Sequence, residues 1–321
     1  MSNKLVSVII PTYKRSENLI QAIESVLEQT YTNIEIIVVD DNGRDTEMQI
    51  ETQNNLCKYI ETKKIKYIVH DVNRNGSAAR NTGFRASKGA YINFLDDDDE
   101  MTRYKIEKQV ARLEDTDDKV GACYCNSLFI YKGKHGEKVE EFVSLNDIEG
   151  QICLEYLIEK SFNTSAIMFK REAVDAINGF DESYRRHQDY ELMIRFFSIY
   201  EIVCCKGEPL CRYDGTKVRL YKWHGEQDYY LKTKFLSEMK PYLEKMGIYD
   251  VVANFFWYED VRVALRSREY KYLLPAIRNC YAYGTLNSGQ VKFIIKNFLK
   301  GIIKIILGPL IKLVKKHRNI S

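Results

Sequence analysis

Tyr91–Asp99, YINFLDDDD, sets a short, largely apolar run directly against four consecutive acids. A run this brief and this apolar suits a strand covered on both faces, as in a parallel sheet. Working outward, three more such runs precede it: Leu5–Ile10 (LVSVII), stopped by Pro11; Ile34–Val39, which ends at Asp40 and Asp41; and Ile65–Val69. Helical patterns lie between them. Ser16 reads as the cap of a helix on which Leu19, Ala22, Ile23, Val26 and Leu27 recur at the i, i+3, i+4 rhythm. Asn75-Gly76 reads as a turn ahead of a small-residue helix over Ser77–Ser87. Alternating strands and helices joined this tightly predict a right-handed, doubly wound, parallel sheet. Ligands of such sheets bind beyond the carboxyl ends of the strands. Here those ends carry Pro11-Thr12-Tyr13-Lys14-Arg15, Asp40-Asp41 and Asp96–Asp99, so three polar clusters converge on one rim.

The acidic run is the most informative of the three. Two like charges 4 Å apart repel by about 1 kcal/mol even in water, so something must offset four of them. One account is a solvated turn in which Asp99 caps the next helix. The other is a hard-cation site, with carboxylates leaving open positions for water and substrate phosphate oxygens, as Mg²⁺ or Mn²⁺ prefers. Alternate spacing selects Asp96 and Asp98 as the working pair. A cation there would neutralise charge appearing on a diphosphate leaving group.

Composition narrows the classes. The chain has 321 residues, 45% apolar and 29% charged, enough for one large α/β domain and an appendage. Its net charge is +3, yet residues 291–318 hold eight Lys or Arg and no acid, so the rest carries −5. That distribution argues against a nucleic-acid reader and for a cationic tail meeting an anionic surface. Eight cysteines include no CxxC pair, which predicts buried thiols in a reducing cytosol rather than zinc. The strand pattern begins by Leu5, so no cleavable export segment is expected.

From Gly121 to about Tyr213 the pattern is mixed: strand-like over Ala122–Tyr131, helical over Cys153–Glu159, strand-like over Ser165–Phe169, and helical over Asp189–Tyr200. Beyond Val218 it becomes helical and aromatic. Lys292, Lys296, Lys300 and Lys304 recur every fourth residue beside a broad apolar face, and the pattern resumes after Gly308-Pro309. The longest uncharged stretch, Ile305–Ile311, is far short of the roughly 20 residues a bilayer span needs. The expectation is a helix lying in the membrane interface at the cytoplasmic face. The alternative is a packing helix or a contact with a second copy of the chain. Three segments follow: 1–217, 218–290 and 291–321.

SVIIPTYKR at Ser7–Arg15, IIVVDD at Ile36–Asp41, NGSAARNTGFRASKGAYINFLDDDD at Asn75–Asp99 and HQDYELMIR at His187–Arg195, in this order, resemble the inverting family 2 glycosyltransferases. The resemblance covers about the first 215 residues. It implies a GT-A fold: an α/β, doubly wound mixed sheet with a nucleotide-binding N-terminal half, here followed by a helical C-terminal appendage. It further implies that Pro11, Tyr13 and Arg15 line the nucleoside pocket and that Asp41 accepts a hydrogen bond from the base. Asp40 would shape the loop. Asp96 would sit near ribose and metal, Asp98 would ligate the Mg²⁺ or Mn²⁺, and Arg80 would steady the phosphates or the aspartate loop. Asp189 would be the catalytic base, although it also fits a helix N-cap. This chain departs from the family's usual Glu-Asp pair, for Gln188 replaces the Glu. His187 reads as a wall residue rather than a ligand.

The implied activity is metal-dependent inverting transfer from a nucleoside-diphosphate sugar, UDP-sugar favoured, to a lipid-linked surface glycan. One alternative is a non-catalytic sugar-nucleotide or glycan-binding module of the same fold. Nucleotidylyltransferases and Rossmann dehydrogenases need glycine-rich loops after the first strand, where this chain has Pro11-Thr12-Tyr13-Lys14-Arg15.

Overall fold

The structure is a computed structural model that describes residues 3–133, 136–144, 146–159, 163–216, 226–267 and 270–298. The chain forms two compact units, Met1–Arg219 and Leu220–Ser321.

The first unit opens with β1 (Val6–Thr12), α1 (Ser16–Leu27), β2 (Ile34–Asp40), α2 (Glu47–Glu61), β3 (Lys66–Val69), α3 (Gly76–Ala86) and β4 (Tyr91–Phe94). It continues with β5 (Asp99–Met101), α4 (Lys105–Glu114), β6 (Val120–Cys125), β7 (Ser127–Lys132), β8 (Lys138–Val143), α5 (Cys153–Glu159), β9 (Ile167–Lys170), α6 (Arg171–Ala176), α7 (Gln188–Phe197), β10 (Glu201–Cys205) and β11 (Cys211–Asp214). The main sheet runs β10-β6-β9-β4-β1-β2-β3. Its β3, β2, β1 and β4 are parallel, whereas β9 lies antiparallel between β4 and β6, which makes the sheet mixed. All seven residues of β1 are buried, as are all four of β4. Nearly continuous apolar runs therefore do form strands covered on both faces.

The single strand expected over Ala122–Tyr131 is in fact two. At Asn126 the chain leaves the main sheet, and β7 joins a second sheet ordered β5-β11-β7-β8. Asn126 holds the corner by donating to Asp147 Oδ1 (2.9 Å) and to the carbonyl of Gly207 (3.1 Å). Periodicity continues through such a corner unchanged, so only the pairing partners disclose it. Two capping expectations also differ. Ser16 is the first residue of α1 and donates to Glu51 Oε1 instead of capping. Asp99 opens β5 and pairs across to Tyr213, while Tyr104 takes the N-cap of α4.

The helix that matters most to the rim is α3. Its Gly83 lies so close to β1 that an added Cβ would stand 2.3 Å from Ile9 Cγ2. Small residues on this helix thus let it seat tightly against β1 and β2, where Ala79 packs with Ile37 and Val39.

The second unit contains α8 (Glu226–Lys245), α9 (Tyr249–Ser267) and α10 (Leu273–Tyr283), with residues 288–298 also helical. Its interior includes Phe235, Val252, Phe256, Trp257, Val261 and Ala276, plus a buried Lys232–Asp260 ion pair. Among the described residues no helix is long and apolar enough to cross a membrane. Residues 299–321, and with them most of the expected lysine-striped tail, lie outside the described residues, as does the expected boundary at 217–218.

Candidate active site

A cleft of about 260 Å³ opens at the carboxyl ends of β1, β2 and β4. Its walls include Pro11, Tyr13, Arg15, Asp41, Arg80 and Asp96, all six residues expected to bind the donor nucleotide, together with Thr12 and Asp97.

The acidic run alternates as its spacing predicts. Asp97 and Asp99 are buried, and Asp96 and Asp98 are partly exposed at the rim. Arg15 serves Asp97 and Asp98, Arg80 serves Asp96, and Asp99 accepts from Asn163 Nδ2 at 2.9 Å. Arg15 Nη1 lies 2.6 Å from Asp98 Oδ2 and 3.1 Å from Asp97 Oδ1, and Thr12 Oγ1 donates to Asp97 Oδ2 at 2.8 Å. Arg80 Nη2 lies 2.5 Å from Asp96 Oδ1. Burial pushes the Asp97 carboxyl up to about 6, opposed by Arg15 and Thr12 and reinforced by Asp98 and Asp96. Burial also disfavours charge on Arg80, yet Asp96 and then Asp189 outweigh it and hold the guanidinium above its ordinary range.

Asp41 is buried and heavily engaged. Its Oδ1 lies 2.7 Å from His70 Nδ1 and accepts from the Arg74 amide at 2.8 Å; its Oδ2 accepts from Asn73 Nδ2 at 2.8 Å and from the Asn75 amide at 2.9 Å. A carboxylate offers about four such directions, so Asp41 fastens the 70–75 loop to the end of β2. Asp40 accepts from the Tyr67 hydroxyl and the Asn42 amide. Asn75, with φ +82°, then caps α3 through the Ala78 amide.

Asp189 sits in the first turn of α7, one residue past its start. The N-cap is His187, in the left-handed region at φ +58°, so Asp189 is not the cap. Among the described residues no group hydrogen-bonds its carboxylate. Burial raises its pKa, Arg80 opposes the rise and Asp96 adds to it, so Asp189 feels both members of the rim ion pair. His187 stacks on Tyr190 with centroids 5.8 Å apart.

Among the described residues, no three His, Cys, Asp or Glu side chains gather into a self-sufficient metal cage. That is compatible with a hard divalent cation, because Mg²⁺-type ions are commonly held by one or two carboxylates and substrate phosphates, the balance being water. Asp96, on the cleft wall, and Asp98, partly exposed two residues on, are hard oxygen donors of the right kind, each with one carboxylate oxygen paired to an arginine, Arg80 and Arg15 respectively. Sequence reading gave no role to Thr12, His70 or Asn73; Gln188 stood out only as a departure from the Glu-Asp pair, and Asn75 only through its Asn-Gly turn.

A mixed sheet of this order, with a polar cleft over its carboxyl ends and an acidic strand end, defines a glycosyltransferase fold of the GT-A type. Two solved structures share it at 15–18% identity. S. aureus TarS (residues 1–349, in complex with UDP-GlcNAc) superposes with a TM-score of 0.56 over 87% of this chain and 89% of its own. The Pyrobaculum calidifontis mannosyltransferase PcManGT, in complex with GDP-Man and Mn2+, gives 0.54 over 95% and 87%. The profile of Glycosyl transferase family 2 matches residues 7–178. The amylovoran biosynthesis glycosyltransferase AmsB of Erwinia amylovora is 32% identical over 248 residues, 76% of this chain and 80% of that protein. The chain therefore belongs to glycosyl transferase family 2 and is a glycosyltransferase.

Proposed function

We propose that the protein transfers a sugar, with inversion, from a nucleoside-diphosphate sugar to a hydroxyl of a growing surface polysaccharide. The observation that carries this reading is that Pro11, Tyr13, Arg15, Asp41, Arg80 and Asp96 line one cleft, with Asp189 close enough to influence Arg80. UDP-sugar is the favoured donor, and a lipid-linked glycan is the acceptor. The relationship to AmsB supports the polysaccharide assignment.

In the proposed arrangement the nucleoside packs against Pro11, Tyr13 and the Asp41 end of β2. Because four protein donors already meet Asp41, a base N–H would share one of its oxygens with the loop. Arg15 and Arg80 face the diphosphate. Asp98 and Asp96 would hold Mg²⁺ or Mn²⁺, which when bound supplies Lewis-acid stabilisation of the departing diphosphate. Asp189 takes the acceptor hydroxyl proton as that oxygen bonds to the anomeric carbon. The carbon–oxygen bond to the diphosphate breaks on the opposite side, leaving its electron pair on the diphosphate. A carboxylate with a raised pKa is the better base for this step.

Residues 1–217 would form the catalytic domain and 218–290 a helical region. The 291–321 segment would lie on the inner face of the cell membrane, drawn by anionic lipid. No nucleic acid is involved.

The test is a melting series with UDP-, GDP- and dTDP-sugars, each with and without MnCl₂. A ligand at 100 times its dissociation constant stabilises by about 2.7 kcal/mol. One nucleotide class should raise Tm in a metal-dependent way, and Asp98→Ala should abolish the metal dependence. If no sugar nucleotide shifts Tm, the donor reading fails.

A further inference from the structure

We propose that Arg80 and Gln188 form a strut that fixes the donor-side acid Asp96 and the base Asp189 at one spacing, making Gln188 a positioning residue. This rests on Asp189 being the base. Arg80 projects from α3 and uses two arms of its fork on two different elements. Nη2 binds Asp96 Oδ1 at the end of β4, and Nη1 donates to Gln188 Oε1 (3.2 Å) at the start of α7. Gln188 Nε2 in turn donates to the Tyr184 carbonyl at 3.0 Å, so the amide is used at both ends.

The guanidinium is confined on its other sides. The Phe180 ring centroid lies 5.3 Å from Cζ. A Cβ on Gly76 would stand 3.0 Å from Nη1 and 3.3 Å from Gln188 Oε1, so a larger residue there would press on both ends of the bond. The third arm, Nε, is buried and has no hydrogen-bond partner among the described residues. Leaving a buried donor unpaired is unfavourable, and here the other two arms are spent on Asp96 and Gln188.

Neighbouring bonds brace the same joint. Asn81 donates to the Phe180 carbonyl and accepts from its amide (2.8 and 2.9 Å), which ties α3 to the segment leading into α7. Arg195, on α7 itself, donates to the Gly179 carbonyl at 2.8 Å. Asp189 immediately follows Gln188, so the strut sets the height of the base over the cleft. What the strut needs from residue 188 is an acceptor oxygen facing Arg80 Nη1, which the Gln188 amide supplies.

The experiment compares Gln188→Leu, Gln188→Glu and Asp189→Asn with the wild type. Affinity is measured for UDP with MnCl₂. Hydrogen exchange is followed at the Glu191 amide, which closes the first turn of α7 on the His187 carbonyl. Turnover is nucleoside diphosphate release from the best-stabilising sugar nucleotide. Gln188→Leu removes the acceptor but leaves the Arg80–Asp96 pair. It should speed exchange and lower kcat each by about tenfold, as loss of a charge-assisted bond predicts, with UDP affinity within about twofold. Gln188→Glu keeps an acceptor oxygen and should stay within about threefold of wild type on all readouts, for the same reason. Unchanged exchange in Gln188→Leu overturns the strut, as does a loss of UDP affinity equal to the loss in kcat, or a Gln188→Glu variant as impaired as the leucine. Full activity in Asp189→Asn would instead sink the base assignment, independently of the strut.

Discussion

In the proposed mechanism Asp189 is the side chain with most to do. Replacing it with Asn keeps the size and the helical position but removes the proton acceptor, so donor binding should survive while kcat falls at least about a hundred-fold. Its pKa direction gives a second readout. Burial raises it above the ordinary Asp value, with Arg80 opposing and Asp96 adding. A base works deprotonated, so activity should rise with pH, and the acid limb should lie above about 4, the unperturbed value. An acid limb below that value, or an Asn variant of normal kcat, would remove Asp189 from the mechanism. Asp96 and Asp98 were singled out by an acidic run ending an apolar strand, and Asp189 only through the resemblance to family 2 glycosyltransferases. Gln188 was legible only as a departure from a pattern. Its use as an acceptor for Arg80, 108 residues away in the chain, needed coordinates.

At the level of elements, α3 governs the rim from beneath. Gly83→Ala would drive a methyl to 2.3 Å from Ile9 Cγ2 and 3.3 Å from Val39 Cγ2, both fully buried. Overpacking of this kind typically costs 1–3 kcal/mol, about that much here. It should appear as a lower urea midpoint with an unchanged m value. An unaltered midpoint would mean that α3 is seated less tightly than described. The helix itself was readable from its small residues and the Asn-Gly turn, and α5 from its apolar spacing. The break at Asn126 was not, because a strand that turns from one sheet into another keeps its period of two.

For the whole molecule, the open question concerns the basic C-terminal segment, eight Lys or Arg without an acid over residues 291–318. If it binds membrane, the full-length chain should co-float with vesicles containing anionic lipid and not with purely zwitterionic ones. Binding should weaken with salt, since each basic side chain near the surface contributes about 1 kcal/mol of screened attraction. Deleting 291–321 should abolish flotation and leave metal-dependent UDP binding intact. A full-length chain that ignores anionic vesicles and self-associates would instead favour contact between copies.

By itself the sequence determined that buried parallel strands alternate with helices, that their carboxyl ends carry acids, and therefore where a polar cleft should open. These are local properties, set by hydrophobic period and by where charge interrupts it. The tertiary structure alone decided that β9 runs against its neighbours, that Asp41 is spent on its own loop, and that one guanidinium joins Asp96 to the start of α7. Pairing direction and hydrogen-bond partners depend on which distant segments meet, and no local pattern of residues encodes that.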